Sequence, residues 1–430
     1  ATGALYYASP ENDWAEKVLP YLPDWATVQD EKAVRQYYEG LDQTGAGIPW
    51  DVWAGPIFFW MLFALSLYLV MISVSVILRK QWVERERLVY PMMQLPLHML
   101  QQEERQELIP AFFKQPMMWL GFLLPFVNAL HHYFHYFPSI STSFGVVPLF
   151  RNSITIGFTL SFTVLGFSYL ISRNIAAGLS FFYILNVVEQ GMFRMLGIRI
   201  DPGPVGAFGH YAQGVIVYQA MGGMIVLVLI GLWNARSHLH DVFRKAFLGD
   251  EEVDDSEEMM SYRQAVFGGI LGLAVMSAWL WRAGLPLIIV PVLLLSCFVL
   301  FLTITRVVVE GGVAVMFPSI TGPDFTAAAV GTRMLGPHGG AAVAMTYVWG
   351  TDILLLLMTS CCNGLKLADQ FLRRKRRLFW AIMGTIAITI LVSLWVRLDA
   401  GYEHGAINLT RFYADNAAQY PYRFMEKVVS

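Results

Sequence analysis

Residues 285–324 read LPLIIVPVLLLSCFVLFLTITRVVVEGGVAVMFPSITGPD. The stretch 285–305 carries no charge, and about 20 apolar residues are enough to cross a hydrocarbon core of about 30 Å as a helix. Arg306 ends that run, and Glu310 follows one turn later on the same helix face. Gly311, Gly312, Pro318, Gly322 and Pro323 then interrupt the pattern. Both residue types are poor in helix interiors, so 307–335 reads as a weakly apolar, broken or re-entrant segment. Non-helical backbone at membrane depth has to be buried in protein or line a watery cavity.

Apolar runs of similar length recur along the chain. They place spans at 54–78, 117–136, 153–172, 175–197, 213–233, 264–282, 285–305, 340–362 and 378–397. With the broken segment they predict an all-α, polytopic transmembrane helix bundle of about ten crossings. Composition agrees: 56% of the 430 residues are hydrophobic and 14% charged, where a soluble domain carries about 25% charged residues. Mean hydropathy is +0.49. The net charge of -2 supplies no basic field for nucleic acid. The expected partners are a lipid bilayer and either further copies of the chain or a larger membrane complex.

Lys and Arg set orientation. They concentrate in 79–116 (Arg79, Lys80, Arg85, Arg87, Arg105, Lys114), in 234–263 (Arg236, Arg244, Lys245, Arg263) and in 363–377 (Lys366 and Arg373 to Arg377). These three segments are expected in the cytoplasm. Spans 285–305 and 340–362 then both run inward, so charge parity requires 307–335 to cross outward. Residues 1–53 form an expected extracytoplasmic polar and aromatic segment, with Trp14, Tyr21, Trp25, Tyr37 and Tyr38 among acids. The bundle follows over 54–398 and an extracytoplasmic tail over 399–430. An external tail of this length without a leader implies upstream helices or a removed signal.

Several residues are candidates for chemistry. Arg306, Glu310, Gly311 and Gly312 lie at the helix break, where an acid can bind a proton or cation while freed backbone groups hold substrate. The competing reading is an ion pair at the interface beside a packing kink. Asn186, Glu189 and Arg194 fall near one stripe of span 175–197, suited to a pathway or to interhelical hydrogen bonds. Asp352 is a lone acid near mid-span. His131 and His135 have the i, i+4 spacing of a metal site, but the surrounding Tyr133, Phe134 and Tyr136 favour an aromatic interface belt. Leu88, Met92, Leu95 and Met99 form an amphipathic element that either lies on the membrane or plugs the bundle. The acidic run 249–258 lacks calcium-loop spacing.

No Walker A loop, GxSxG or HExxH motif occurs, and Cys297, Cys361 and Cys362 lack ligand spacing. Neither an enzyme nor a bound cofactor is expected. Two stretches look alike: Val83 to Pro91 (VERERLVYP) and Val309 to Pro318 (VEGGVAVMFP), each following an inward helix and ending in aromatic-Pro.

The stretches ILRKQWVERERLVYPMMQLPL (77–97) and TRVVVEGGVAVMFPS (305–319) resemble the oligopeptide-transporter superfamily. More closely, they resemble an uncharacterised bacterial membrane family distantly related to those transporters. Arg306, Glu310 and Gly311 match that family's Arg, then Glu-Gly pattern. The resemblance implies a multi-pass protein of the bacterial cytoplasmic membrane with helices preceding this region. It also implies secondary transport, coupled to protons or another cation, of a small polar or peptide-like solute. A non-transporting scaffold subunit is the other expectation. Convergence of Glu310, Asp352 and Glu189 on one polar cavity near mid-membrane is expected of a transporter; a transporter built on these acids fails if they face different sides or end in dry packed pairs.

Overall fold

A computed structural model describes residues 2–41, 47–100, 111–134, 143–198, 214–313, 316–351, 356–372, 375–410 and 417–429. Among these, fourteen helices have eight residues or more. They are α1 (Glu31–Glu39), α2 (Trp50–Lys80), α3 (Pro91–Leu100), α4 (Pro116–Phe134), α5 (Arg173–Met195), α6 (Gly214–Asn234) and α7 (Arg236–Phe243). The series continues with α8 (Tyr262–Arg282), α9 (Val290–Gly311), α10 (Gly322–Val330), α11 (Thr332–Gly350), α12 (Leu357–Phe371), α13 (Arg376–His404) and α14 (Ala417–Val429). Six helical segments of the described residues are long and apolar enough to cross a membrane: α2 with its π-helical extension to Arg85, and α5, α6, α8, α9 and α13. The chain is a helical, multi-pass membrane protein.

Local sequence sets the helix ends. Ser261 caps α8 by accepting from the backbone N–H of Gln264, whose side chain returns the bond, and Ser172 caps α5 in the simpler form. The expected span 153–172 is not a helix. Antiparallel strands β1 (Ser143–Leu149) and β2 (Ile154–Thr159) form a hairpin there, and a short helix, Phe162–Ser168, follows. Ile154, Ile156 and Phe158 alternate with Thr and Gly, a strand period. Phe150, Arg151 and Asn152 turn the chain with positive φ. The expected span 340–362 is likewise divided, since α11 ends at Gly350 and α12 begins at Leu357.

The core lies between α2, α8, α9, α11 and α12, where Phe63, Trp279, Leu293, Phe301, Tyr347 and Met358 are buried in one cluster. One end of the bundle is capped by both chain-terminal regions. Trp60 Nε1 donates to Ala26 O at 2.9 Å, and the Tyr402 hydroxyl donates to Ala33 O at 2.9 Å. Trp14 Nε1 donates to Glu426 of α14 at 3.1 Å, and the Trp25 and Trp279 rings meet edge to face. By contrast α4, α5 and the middle of α13 present large exposed apolar side chains, among them Leu124, Phe182, Ile388 and Trp395, as a surface solvated by lipid requires.

Two interrupted segments run beside α9. Gly311 ends α9, and the first residue of α10, Gly322, lies against Cys297 near the start of α9. Gly322 therefore stands back along α9 from Gly311 by about 21 Å, at about 1.5 Å per helical residue. Next, α11 begins at the capped end, where His338 lies against Gly284, and stops with Gly350 against Pro323 and Cys297. Then α12 continues toward the opposite end, with the Thr359 hydroxyl 3.2 Å from that of Thr305. The α9–α10 and α11–α12 interruptions thus meet at the level of Cys297.

The two look-alike stretches touch. The Tyr90 N–H donates to Val309 O at 3.1 Å, and Pro91 lies against Gly312. Gly312 ends α9 with φ +68°, and a Cβ there would sit 2.6 Å from Pro91 Cβ. Both constraints require glycine. Gly312→Ala is expected to cost about 2–5 kcal/mol from left-handed strain plus overpacking. Thermal unfolding in detergent reads this; an unchanged melting temperature would contradict the contact.

Candidate functional site

Arg306 and Glu310 form the pair their spacing implies, with Arg306 Nε donating to Glu310 Oε2 at 2.7 Å. Arg306 also pairs with Glu86 at 2.5 Å and lies 5.6 Å over the Trp82 ring. The Glu310 side chain is about half exposed, at 48%. Gly311 is buried and faces Ile175 of α5.

Nearby, Arg79 is the hub of a larger ion cluster. It donates from Nε and Nη2 to both oxygens of Glu258 at 2.7 Å, from Nη1 to Asp369 at 3.0 Å and from Nη2 to Glu84 at 2.9 Å. Lys375 pairs with Asp369 at 2.5 Å. The cluster joins the end of α2, the entry to α8, the end of α12 and the entry to α13. It lies at the end of the bundle opposite the aromatic cap.

The α5 candidates do not reach either group. Glu189 faces α6, where the Gln219 amide, oriented with nitrogen toward the carboxylate, lies 3.0 Å away. Asn186 Oδ1 accepts from Gln190 at 2.5 Å. Arg194 donates to Ser153 O, and Phe150 packs on Gly191, so this part of α5 holds the turn of the hairpin. Glu189 lies fourteen residues along α5 from Ile175, about 21 Å at helical rise. The expected convergence of Glu189 with Glu310 is therefore absent: the two acids belong to different interfaces. Asp352 and His135 lie outside the described residues, as does the side chain of His131. No group of three or more metal-ligating side chains occurs among the described residues.

A different acid occupies the meeting point of the two interruptions. Asp324, in the first turn of α10, has 0% relative exposure. The Thr321 hydroxyl donates to its Oδ2 at 2.6 Å while accepting from the Asp324 backbone N–H at 3.3 Å. The Tyr347 hydroxyl of α11 donates to Oδ1. Among the described residues no ion pair includes Asp324. On the adjoining side, Ser296 donates to Gly322 O at 3.1 Å and lies 3.0 Å from the Thr326 hydroxyl. Close backbone approach makes this arrangement possible: a Cβ on Gly322 would fall 2.3 Å from Cys297 Sγ, and one on Gly350 would fall 2.9 Å from Pro323 Cγ. A sequence signal for it exists in Thr321-Gly322-Pro323-Asp324, a hydroxyl residue with an acid three positions on and Pro at the helix start.

A carboxyl buried in a bundle is costly when ionised without a cation. Two hydroxyl donors, Thr321 and Tyr347, stabilise the anion in part. The group is suited to gaining and losing one proton.

No curated protein sequence and no solved structure matches the chain. One family model, described as a family of unknown function (DUF6785), matches residues 1–430. This coverage places the chain as a member of that DUF6785 family.

Proposed function

We propose that this protein is a proton-coupled secondary transporter of a small polar or peptide-like solute. The proposal carries with it the bacterial cytoplasmic membrane and an orientation with the Arg79 cluster inside and the aromatic cap outside. The resemblance of 77–97 and 305–319 to the oligopeptide-transporter superfamily supports this setting. In this reading the six long helices and the two interrupted segments make eight crossings, and α4 is a further apolar helix beside them.

The observation that carries the reading is Asp324: a fully buried carboxyl that no described cation pairs, held by Thr321 and Tyr347 where two interrupted segments meet. Transporters place substrate and coupling-ion sites at such discontinuities near the bilayer midplane. Asp324 takes the coupling role that the sequence assigns to Glu310, whose carboxylate is already matched by Arg306. The Arg79 cluster closes the inner end in this conformation and opens when the solute is released.

Purified protein in liposomes tests this. An imposed pH gradient is expected to drive accumulation of members of a panel of labelled small polar solutes, dipeptides and tripeptides, and a protonophore to abolish it. Uptake indifferent to the gradient would overturn proton coupling. No uptake across the panel, with a fixed set of co-purifying subunits, would instead support the scaffold.

A further inference from the structure

The helix α14 lies against α11 at the capped end and reaches the candidate site. Phe424 and Tyr420 both pack on the Tyr347 ring, at centroid distances of 5.3 and 5.1 Å. The Tyr420 ring stands edge to face against the Tyr347 ring, with the planes at 83°, and the Tyr347 hydroxyl donates to Asp324. Tyr347 is buried, whereas Tyr420 is half-buried. The three groups form a continuous line from the buried carboxyl to the rim of the cap.

We infer that Tyr420 and Tyr347 form the proton entry from the capped end to Asp324, which makes α14 part of the transport machinery. The inference rests on the coupling role proposed for Asp324. A hydroxyl both donates and accepts, so it passes a proton without holding a charge. A hydronium ion at the rim gives a proton to the Tyr420 oxygen and leaves as water, the Tyr420 proton moves to the Tyr347 oxygen, and the Tyr347 proton moves to Asp324 Oδ1. Each tyrosine ends neutral, one carboxylate becomes a carboxylic acid, and rotation of the two hydroxyls resets the line.

The other groups around Asp324 offer no second described relay. Thr321 is spent between the Asp324 backbone and side chain. Ser296 and Thr326 bond to Gly322 O. The titratable groups facing the site are Cys297 from α9, Tyr347 from α11 and, beyond it, Tyr420 from α14, with no described Lys, Arg, His or second carboxylate paired to Asp324. Cys297 is sealed against Gly322. The position of α14 is fixed independently of the line, by Trp14 donating to Glu426 and by the close approach of Gly3 to Ala418 and of Gly340 to Val428, so that removing one hydroxyl leaves the helix in place.

Time-resolved infrared spectroscopy on the full chain in nanodiscs, after a pH jump, tests the inference. The protonated-carboxyl band of Asp324 is the one lost in Asp324→Asn. In Tyr420→Phe it is expected to rise about a hundredfold more slowly, with an unchanged titration midpoint, because the ring contact with Tyr347 is kept. In Tyr347→Phe the rise slows and the midpoint moves up, since the carboxylate loses a donor. Tyr422→Phe is the control: that buried hydroxyl bonds to the Ala4 backbone, off the line, and the rate is expected to match the wild type. An unchanged rate in Tyr420→Phe, or equal slowing in Tyr422→Phe, overturns the relay while leaving Asp324 as the coupling group. No Asp324-dependent band at any pH overturns that group and the relay together.

Discussion

Asp324→Asn is expected to reduce pH-gradient-driven accumulation by at least about a hundredfold, to the level of facilitated exchange. Asparagine nearly matches aspartate in shape but neither gains nor loses a proton. Its carbonyl can accept from the Tyr347 hydroxyl, and its amide can donate to the Thr321 oxygen, while the Thr321 hydroxyl proton loses its carboxylate acceptor. The fold is therefore expected to lose about 1–3 kcal/mol. Solute exchange at equal pH on both sides should persist, because it requires the pathway and not the proton. Gradient-dependent accumulation at the wild-type level in Asp324→Asn would remove this residue from coupling. Asp324→Glu is a sharper probe of geometry: it keeps the proton but pushes one extra methylene into a site closed by Pro323, Cys297 and Gly350. It should couple poorly and cost about 1–3 kcal/mol.

The second large effect lies at the opposite end of the bundle. Arg79→Leu is expected to destabilise the protein by about 3–5 kcal/mol, the cost of leaving a buried charge without its partner. Glu258 is the group stranded. Its side chain is 2% exposed and takes both of the strongest Arg79 bonds, whereas Asp369 keeps Lys375 and Glu84 reaches solvent. Removing the stranded charge should therefore restore much of the loss: Arg79→Leu with Glu258→Leu is expected to melt above Arg79→Leu alone. Arg79→Lys keeps the charge but cannot bind Glu258, Asp369 and Glu84 through one planar fork, and should fall in between. Thermal unfolding of the four proteins in one detergent decides this. A double variant less stable than the single one would show that the cluster is held by packing and not by charge.

The helices that sequence located well are those whose hydropathy is continuous and whose neighbours impose no break. Thus α6 and α8 begin and end within two residues of the expected spans, and α13 begins two residues before its own and runs seven beyond it. The interruption after Gly311 was equally legible, because adjacent glycines followed by Pro318 and Pro323 oppose a helix wherever they occur. The hairpin at 143–159 was not, since an average over hydropathy discards the alternation that distinguishes Ile154-Thr-Ile-Gly-Phe158 from a span. Nor was the division of 340–362, where Gly350 comes against Pro323, a contact between residues far apart in sequence. Glu310 drew notice because it follows a long apolar run. Asp324 closes the same candidate stretch, 306–324, but carries no role of its own in the sequence, because an acid after Gly-Pro looks like a turn residue until the fold carries it back into the core. Only long-range packing, through Cys297 and Tyr347, distinguishes the two acids.

The aromatic cap also sets a schedule for biosynthesis. Trp14 bonds to Glu426, Gly3 lies against Ala418, and Tyr347 is covered by Tyr420 and Phe424. The ribosome makes α14 some 400 residues after Trp14–Lys17, which at about 5–20 residues per second is roughly 20–80 s. During that interval Trp14 and Gly3 lack the partners that α14 supplies, and the carboxyl of Asp324 stays uncovered on the side that α14 will close. A nascent chain held by the insertion machinery thus remains open at one end, and synthesis of α14, rather than insertion of the long spans, is the step that seals it.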